Sequence, residues 1–344
     1  MLRYILKRVL QFIPVFLGVT LILFIMQNVV PGDPIKLIAG EKKLDPVTEM
    51  NIRATHGLIE TDADGNIVYD ENGDTIATPM YKRYINYVVD LAHGDLGTSY
   101  QRGTDVMSII QEKYPYTVEL ALVAIVLEAI VGVGAGIISA IKRYSFWDVL
   151  VTLTTSLLVA MPAFWLGMLL QLIFAIWLKD VTGGAFALPV SGVAGLRAQF
   201  PDWMYYVLPA ITLASVSTAY TARIMRSQLI EVMNQDYIRT AKAKGLSKRS
   251  IIFHHALKNA LIPVVTYIGM DFGAMLSGAI LTETVFNWPG IGHETYVAIT
   301  QRDWPIVMGS VTVIVVVVMI INLVVDVSYA FLDPRIRLGN AKSE

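Results

Sequence analysis

The chain has 344 residues, of which 55% are hydrophobic and only 16% charged, with a formal net charge of -1. That balance excludes an ordinary soluble domain, whose elements would alternate polar and apolar faces, because whole windows such as 150–178 and 304–325 carry no charge. The absence of cysteine excludes a disulfide framework and any cysteine-ligated zinc or iron–sulfur centre.

Crossing ~30 Å of hydrocarbon takes about 20 helical residues. Six stretches reach that length, roughly 9–30, 116–140, 149–178, 205–225, 260–283 and 305–326. The expected fold class is therefore an all-α polytopic membrane protein with six transmembrane helices. The first stretch follows Arg3, Lys7 and Arg8, as a secretion signal would. It is longer than the apolar core of such a signal, and PGDP follows it rather than small cleavage-site residues, so an uncleaved crossing is expected. The chain then divides into 1–30 (cytoplasmic end and first crossing), an extracytoplasmic segment 31–115, a bundle 116–326 containing a basic loop 227–258, and a tail 327–344.

Orientation follows from lysine and arginine in the short connections. One side collects the N-terminal cations, Lys142 and Arg143, the many cations of the basic loop, and Arg335, Arg337 and Lys342 in the tail. The other side's short loops hold only Lys179, Arg197 and Arg302. Both termini and the basic loop are expected on the cytoplasmic side.

In the external segment, Asp64-Gly65 and Asn72-Gly73 are turn dipeptides around IVYD (67–70) and TIAT (75–78), which predicts a small β-hairpin. A calcium loop would need Gly at its sixth position and Glu at its twelfth; no register starting at Asp62 or Asp70 supplies them. Within the bundle, Gly132 and Gly136 form a GxxxG pair, and Gly269, Gly273 and Ser277 repeat the spacing, which predicts close helix packing. Pro162 and Pro209 are expected to kink or begin helices, and Trp288 and Trp304 suit an outer-interface belt.

Thr212, Ser215, Ser217, Thr218 and Thr221 give the fourth stretch a polar load. These hydroxyls either line a water-filled path or bond back to their own helix. Glu119, Glu128 and Asp271 lie at or near membrane depth, where charge is costly. Two uses fit Glu128 and Asp271: a proton relay or cation site, or a neutral carboxyl hydrogen-bonded between helices. Thr212, Ser215, Thr218, Asp271 and Glu128 are the candidate path residues.

The basic loop includes DYIRTAKAKGLSKRSIIFHHALKNALIP (236–263). Residues 237–244 have helix-forming composition, Gly245 supplies a C-terminal stop, and Ser247 can cap a second short helix over 248–257. Ala241 and Gly245 sit four apart and leave a small-residue face that another surface could approach.

Taken in order, VVPGDP (29–34), GDLGTSY (94–100), TVELAL (117–122), MPAFWLG (161–167), ETVFNWPGIG (283–292), FLDPRIR (331–337) and the basic loop resemble the membrane-spanning subunits of bacterial ATP-binding-cassette importers of the dipeptide/oligopeptide (peptide/nickel) class. The resemblance spans the whole chain and implies a type I importer permease fold in the bacterial cell membrane. It makes the loop a coupling segment, in which Arg239, Thr240, Ala241, Lys244, Gly245 and Leu246 would meet an ATPase subunit. It also implies two such ATPase subunits, which hold ATP and magnesium, a second homologous permease and an extracytoplasmic solute-binding protein. Membrane lipid is the remaining contact; no nucleic-acid partner and no cofactor in this chain are implied. The proline expected 13 residues after the glycine of the broader superfamily is replaced by Lys258, with Pro263 further on. The 59–78 hairpin, Glu128 and Asp271 fall outside the usual pattern. Substrates of this class include di- and oligopeptides, and alternatively nickel complexes, glutathione or oligosaccharides.

Two other classes are weaker. An ion-coupled secondary transporter would show repeated topology with broken helices, and no internal repeat is evident. A membrane hydrolase lacks a constellation: His254 and His255 are adjacent, and no HExxH or GxSxG occurs. The chain also lacks GxxxxGK[ST], so it carries no phosphate cradle and is expected to be a transport subunit rather than an enzyme.

Overall fold

A computed structural model describes residues 2–29, 45–62, 64–193, 200–277 and 279–332. VVPGDP beyond Val29, Arg197, and FLDPRIR beyond Leu332 lie outside these residues. The chain forms two compact units: Met1–Val9, Lys113–Glu294 and Ile314–Glu344 make the first, and Leu10–Glu112 with Thr295–Val313 the second. The external segment thus groups with most of the first helix and with residues 295–313, across the linear division expected from the sequence.

The helices, in chain order, are α1 (Leu2–Val29), α2 (Pro46–Thr55), α3 (Met80–Ala92), α4 (Val106–Ile141), α5 (Phe146–Ala160), α6 (Ala163–Thr182), α7 (Asp202–Val232), α8 (Asp236–Ala243), α9 (Lys248–Leu276), α10 (Ile280–Val285), α11 (Ile291–Gln301) and α12 (Trp304–Leu332). Among the described residues five helices are long and apolar enough to cross a membrane: Ile5–Val29, Val106–Ile141, Ala163–Thr182, Lys248–Leu276 and Trp304–Ser328. The remaining expected crossing is α7, which is more polar but has 31 residues, about 45 Å of helix.

Three boundaries differ from expectation. The third crossing is broken, because Met161 before Pro162 is extended (φ -93, ψ 133) and α6 starts only at Ala163. Pro209, in contrast, is carried inside α7. The fifth crossing was expected over 260–283 and instead ends at Leu276, followed by the separate short helix α10. The second short helix of the basic loop is not separate either. Residues 248–257 pass through a π turn (Ile251–Ala256) directly into α9, since nothing between Leu246 and Pro263 breaks the helical backbone.

In the first unit the small residues do what their spacing implies. A Cβ on Gly132 would lie 2.8 Å from Thr221 Cγ2, and one on Gly136 2.6 Å from the Ala222 carbonyl oxygen, so α4 and α7 touch backbone to backbone. On α9, Gly269 and Gly273 receive Val325 and Ile321 of α12. One apolar cluster joins Leu120, Ala124, Ala214, Met275 and Trp288; a second joins Met225, Leu229, Ile238, Ala241, Ile251 and Val264. Trp288 is consequently no interface anchor: it is fully buried, donates Nε1–H to the Tyr116 carbonyl at 2.9 Å, and meets the Tyr206 ring edge-on.

In the second unit α3 lies against α1. The Tyr84 ring sits 5.5 Å from Phe24 and its hydroxyl donates to the Leu17 carbonyl at 3.0 Å. GDLGTSY closes on Asp303, whose buried carboxylate accepts from Ser99 Oγ (2.5 Å), the Tyr100 N–H (3.0 Å) and the Gln101 N–H (3.2 Å). The predicted hairpin is present as turns rather than strands. Gly65 and Gly73 take positive φ, and the segments pair only through single bridges, Thr61 with Ile67, Tyr69 with Thr75 and Ile59 with Ala77. Asp62 and Asp70 each cap their turn, accepting backbone N–H groups from residues two and four places on, so both carboxylates are occupied by the turn itself.

Candidate functional site

The basic loop holds one helix clear of the long ones. α8 is amphipathic: Ile238 and Ala241 are buried in the apolar cluster under α7 and α9, and Arg239, Thr240, Lys242 and Lys244 are exposed. Its end is fixed by a Schellman turn, in which the Gly245 N–H donates to the Lys242 carbonyl (3.0 Å) and the Leu246 N–H to the Ala241 carbonyl (3.3 Å). Gly245 sits at φ 76, a conformation that L side chains adopt only under strain, with open space around its Cα. Ser247 then caps α9, accepting from the Ser250 N–H. At the base, Asn259 donates to the Tyr237 hydroxyl at 2.8 Å.

Five of the six expected coupling residues, Arg239, Thr240, Lys244, Gly245 and Leu246, are therefore on one exposed surface. Ala241 is not. It points into the bundle at 7% exposure, because the helical period that turns Arg239 and Thr240 outward turns Ile238 and Ala241 inward. The small-residue face read from Ala241 and Gly245 is thus divided: Ala241 seats α8 on the bundle, and Gly245 stays on the open side.

On α7, the helix that precedes α8, is an ion pair that spacing alone did not reveal. Arg226 of α7 donates through Nε to Asp148 Oδ1 (2.8 Å) and through a terminal nitrogen to Oδ2 (2.9 Å), and Nε also reaches Ser139 Oγ at 3.0 Å. Asp148 further accepts from Ser139 Oγ and from the Tyr144 N–H. Asp148 is only 4% exposed, so α4, α5 and α7 are locked together by a bidentate charge pair.

The candidate path residues separate into two groups. Thr212 Oγ1 donates to the Leu208 carbonyl (2.9 Å) and Ser215 Oγ to the Thr212 carbonyl (2.8 Å), and both are buried. Both hydroxyls bond back to their own helix, one of the two uses expected of them. Glu128 and Asp271 come together, with Thr221 of α7 beside them. Thr221 donates to Glu128 Oε1 at 2.6 Å, and the Asp271 carboxyl of α9 lies within hydrogen-bonding reach of the Glu128 carboxyl. Among the described residues, no donor from another group reaches Glu128 Oε2 or Asp271 Oδ2, and Thr218 Oγ1 has no hydrogen-bond partner. Glu119 stands apart, where its Oε2 accepts from the Tyr206 hydroxyl at 2.7 Å.

A fully satisfied carboxyl escaped the sequence reading. Glu283 accepts from Thr117 Oγ1 (2.8 Å, on Oε1) and from the His293 N–H (2.9 Å, on Oε2), and Thr117 Oγ1 in turn accepts from the Ile291 N–H. Cβ atoms on Gly290 and Gly292 would lie 2.5 and 2.9 Å from Glu283 Oε2, so both glycines are required by this carboxyl. The signal was available: the TVELAL and ETVFNWPGIG stretches meet here, the acid of one on the threonine of the other. Burial holds the neighbouring His293 imidazole below its ordinary value.

Long apolar helices with one short amphipathic helix packed on α7 and α9 are the build of a multi-pass membrane protein. Residues 132–338 match the family described as binding-protein-dependent transport system inner membrane component, and residues 1–121 match its N-terminal counterpart. The chain belongs to this family and has its permease fold. It is 37% identical to the di/tripeptide transport system permease protein DppB of Pseudomonas aeruginosa, over 98% of this chain and 99% of that one. Identity to the dipeptide transport system permease protein DppB of Escherichia coli K12 is 35% over the same shares. It is 34% to the oligopeptide transport system permease protein AppB of Bacillus subtilis, again over 98% and 99%.

Proposed function

We propose that this chain is one permease half of an ATP-driven importer of di- and oligopeptides, with both termini in the cytoplasm. A second homologous permease completes the path, an extracytoplasmic receptor delivers the peptide, and two ATPase subunits hold ATP and magnesium. The relatives of near-equal length named for di-, tri- and oligopeptide transport support the substrate class.

The observation that carries the mechanism is the two-faced packing of α8. Its buried face, Ile238 and Ala241, is continuous with the core of α7 and α9, and its outer face presents Arg239, Thr240, Lys244, Gly245 and Leu246. A partner that pulls on the outer face therefore moves α7 and α9 through close-packed contacts. A soft hinge would dissipate that displacement; the Schellman turn and the Arg226–Asp148 pair remove two places where one could form. Alternating access then follows when two such helices, one in each permease half, are displaced as the ATPases close on ATP.

The test is reconstitution of the permease pair, ATPases and receptor in proteoliposomes with labelled dialanine. Uptake that requires ATP, the ATPase subunits and the receptor is expected. Uptake that runs on a proton or sodium gradient without the ATPases would contradict it.

A further inference from the structure

We infer that Glu128 and Asp271 form a binding site for a cationic group, the protonated amine of a peptide passing through the membrane. This inference rests on the peptide-importer reading above and deepens it.

The two carboxyls come from different helices, α4 and α9, and bring only acceptors to their contact. Two ionised carboxylates in contact repel, so the pair alone holds a proton between them, and a cation that takes the proton's place meets both carboxylates. Glu128 is wholly buried and has one oxygen satisfied by Thr221, which leaves Oε2 with no donor. Asp271 Oδ2 and Thr218 Oγ1 also lack one, and Thr218 is one turn from Thr221 on the face of α7 that meets Gly132. An ammonium group carries three N–H donors, and the two carboxyl oxygens and the Thr218 hydroxyl oxygen can each accept one.

The surroundings favour an organic cation. Tyr267, one turn before Asp271 on α9, is close enough to both carboxyls to sense their charge. Its ring lies 6.4 Å from that of Tyr220 on α7. Ring faces attract ammonium groups, and the attraction grows as water is removed. Tyr220 is 41% exposed and Tyr267 and Asp271 are half-buried, whereas Glu128 is wholly buried and the three oxygens are covered, so a cation would enter as the helices part during transport. Glu283 is the contrast within the same unit, a buried carboxyl with donors on both oxygens and nothing left to bind.

The experiment uses the complete importer in proteoliposomes, with dialanine as the transported probe and n-butylammonium, compared with neutral butanamide, as the competitor. The Glu128→Gln/Asp271→Asn double variant should lower dialanine uptake tenfold or more while receptor-stimulated ATP hydrolysis persists. Asp271→Glu, which keeps the charge, should restore most of the uptake. n-Butylammonium should inhibit the unaltered complex and spare the double variant. Should the double variant fail to assemble, Tyr267→Leu serves instead, with several-fold weaker uptake and weaker n-butylammonium inhibition expected. Uptake at the unaltered rate in the double variant, or in Tyr267→Leu, would overturn the inference, since the carboxyls would then only share a proton. If the unaltered complex moves no peptide at all, it is the importer reading that fails.

Discussion

Glu283 and Glu128 are both carboxyls buried to 1% exposure or less in one compact unit, and they have opposite surroundings. Around Glu283 the chain supplies a hydroxyl and backbone N–H groups and removes two Cβ atoms to let them approach. Around Glu128 it supplies one hydroxyl and then places a second carboxyl against the free oxygen. The first arrangement fixes a loop, because every lone pair that matters is used. The second sets two acceptors face to face with a proton between them, the arrangement that the proposed cation site would use. Burial alone says nothing about which role a carboxyl has; its donors decide.

That contrast can be broken by mutation. The largest stability effect is expected at Glu283→Ala, which strands the Thr117 hydroxyl and the His293 N–H in a dry site. A loss of about 3 kcal/mol is expected, read as a fall in the unfolding midpoint of the detergent-solubilised complex. Arg226→Ala should be comparable, since it leaves the buried Asp148 carboxylate without its guanidinium. A change below about 0.5 kcal/mol in either would show that these charges are not held as described.

Next in size are the close approaches. Gly136→Ala puts a methyl 2.6 Å from a carbonyl oxygen and should cost about 1–3 kcal/mol, whereas Gly134→Ala two residues away meets nothing within 4 Å and should be near neutral. Equal effects at the two positions would mean that α4 and α7 are not in backbone contact. Glu128→Gln should be the mildest of the set, within about 0.5 kcal/mol or stabilising, because it introduces a donor where two acceptors face each other. It is the transport assay, not the melting curve, that should register it.

The smallest expected effect is on pH. Burial lowers the affinity of His56 and His293 for a proton below the ordinary value of 6.5, so the unfolded chain binds protons that the folded one resists. Stability should therefore fall as the pH drops through that value, and His56→Gln/His293→Gln should flatten the profile. An unfolding midpoint that rises on acidification in that range would reverse the sign.

Much of the architecture was legible because membrane burial is demanding: long uncharged runs and GxxxG rows each leave a mark in one dimension. Gly132, Gly136, Gly269 and Gly273 all pack as their spacing implied. The basic loop was legible as a short helix with a glycine stop but not as a surface. Nothing in RTAKAKG separates an outward Thr240 from an inward Ala241 without knowing which side of α8 faces the bundle. Nor does local composition distinguish a second short helix from the first turns of α9, because the stop signal that would separate them is simply missing. Contacts between distant stretches, such as Glu283 with Thr117 or Arg226 with Asp148, are set by how helices cross. They cannot be read along the chain even when both partners stand in conspicuous motifs. Trp288 shows the same lesson: its type suited a lipid interface, and a carbonyl from α4 claimed it for the core.

The chain has no cysteine, so one introduced at Thr240, on the exposed face of α8, reports on its neighbour without background. In the assembled importer, a short bifunctional thiol reagent should join Thr240→Cys to the ATPase subunit, with a yield that changes on ATP binding, whereas Tyr69→Cys in the external turns should give no such adduct. Failure of Thr240→Cys to form the adduct in an actively transporting complex, or its labelling by a membrane-impermeant reagent from the outside of intact cells, would contradict the assignment of α8 as the lever between nucleotide and membrane.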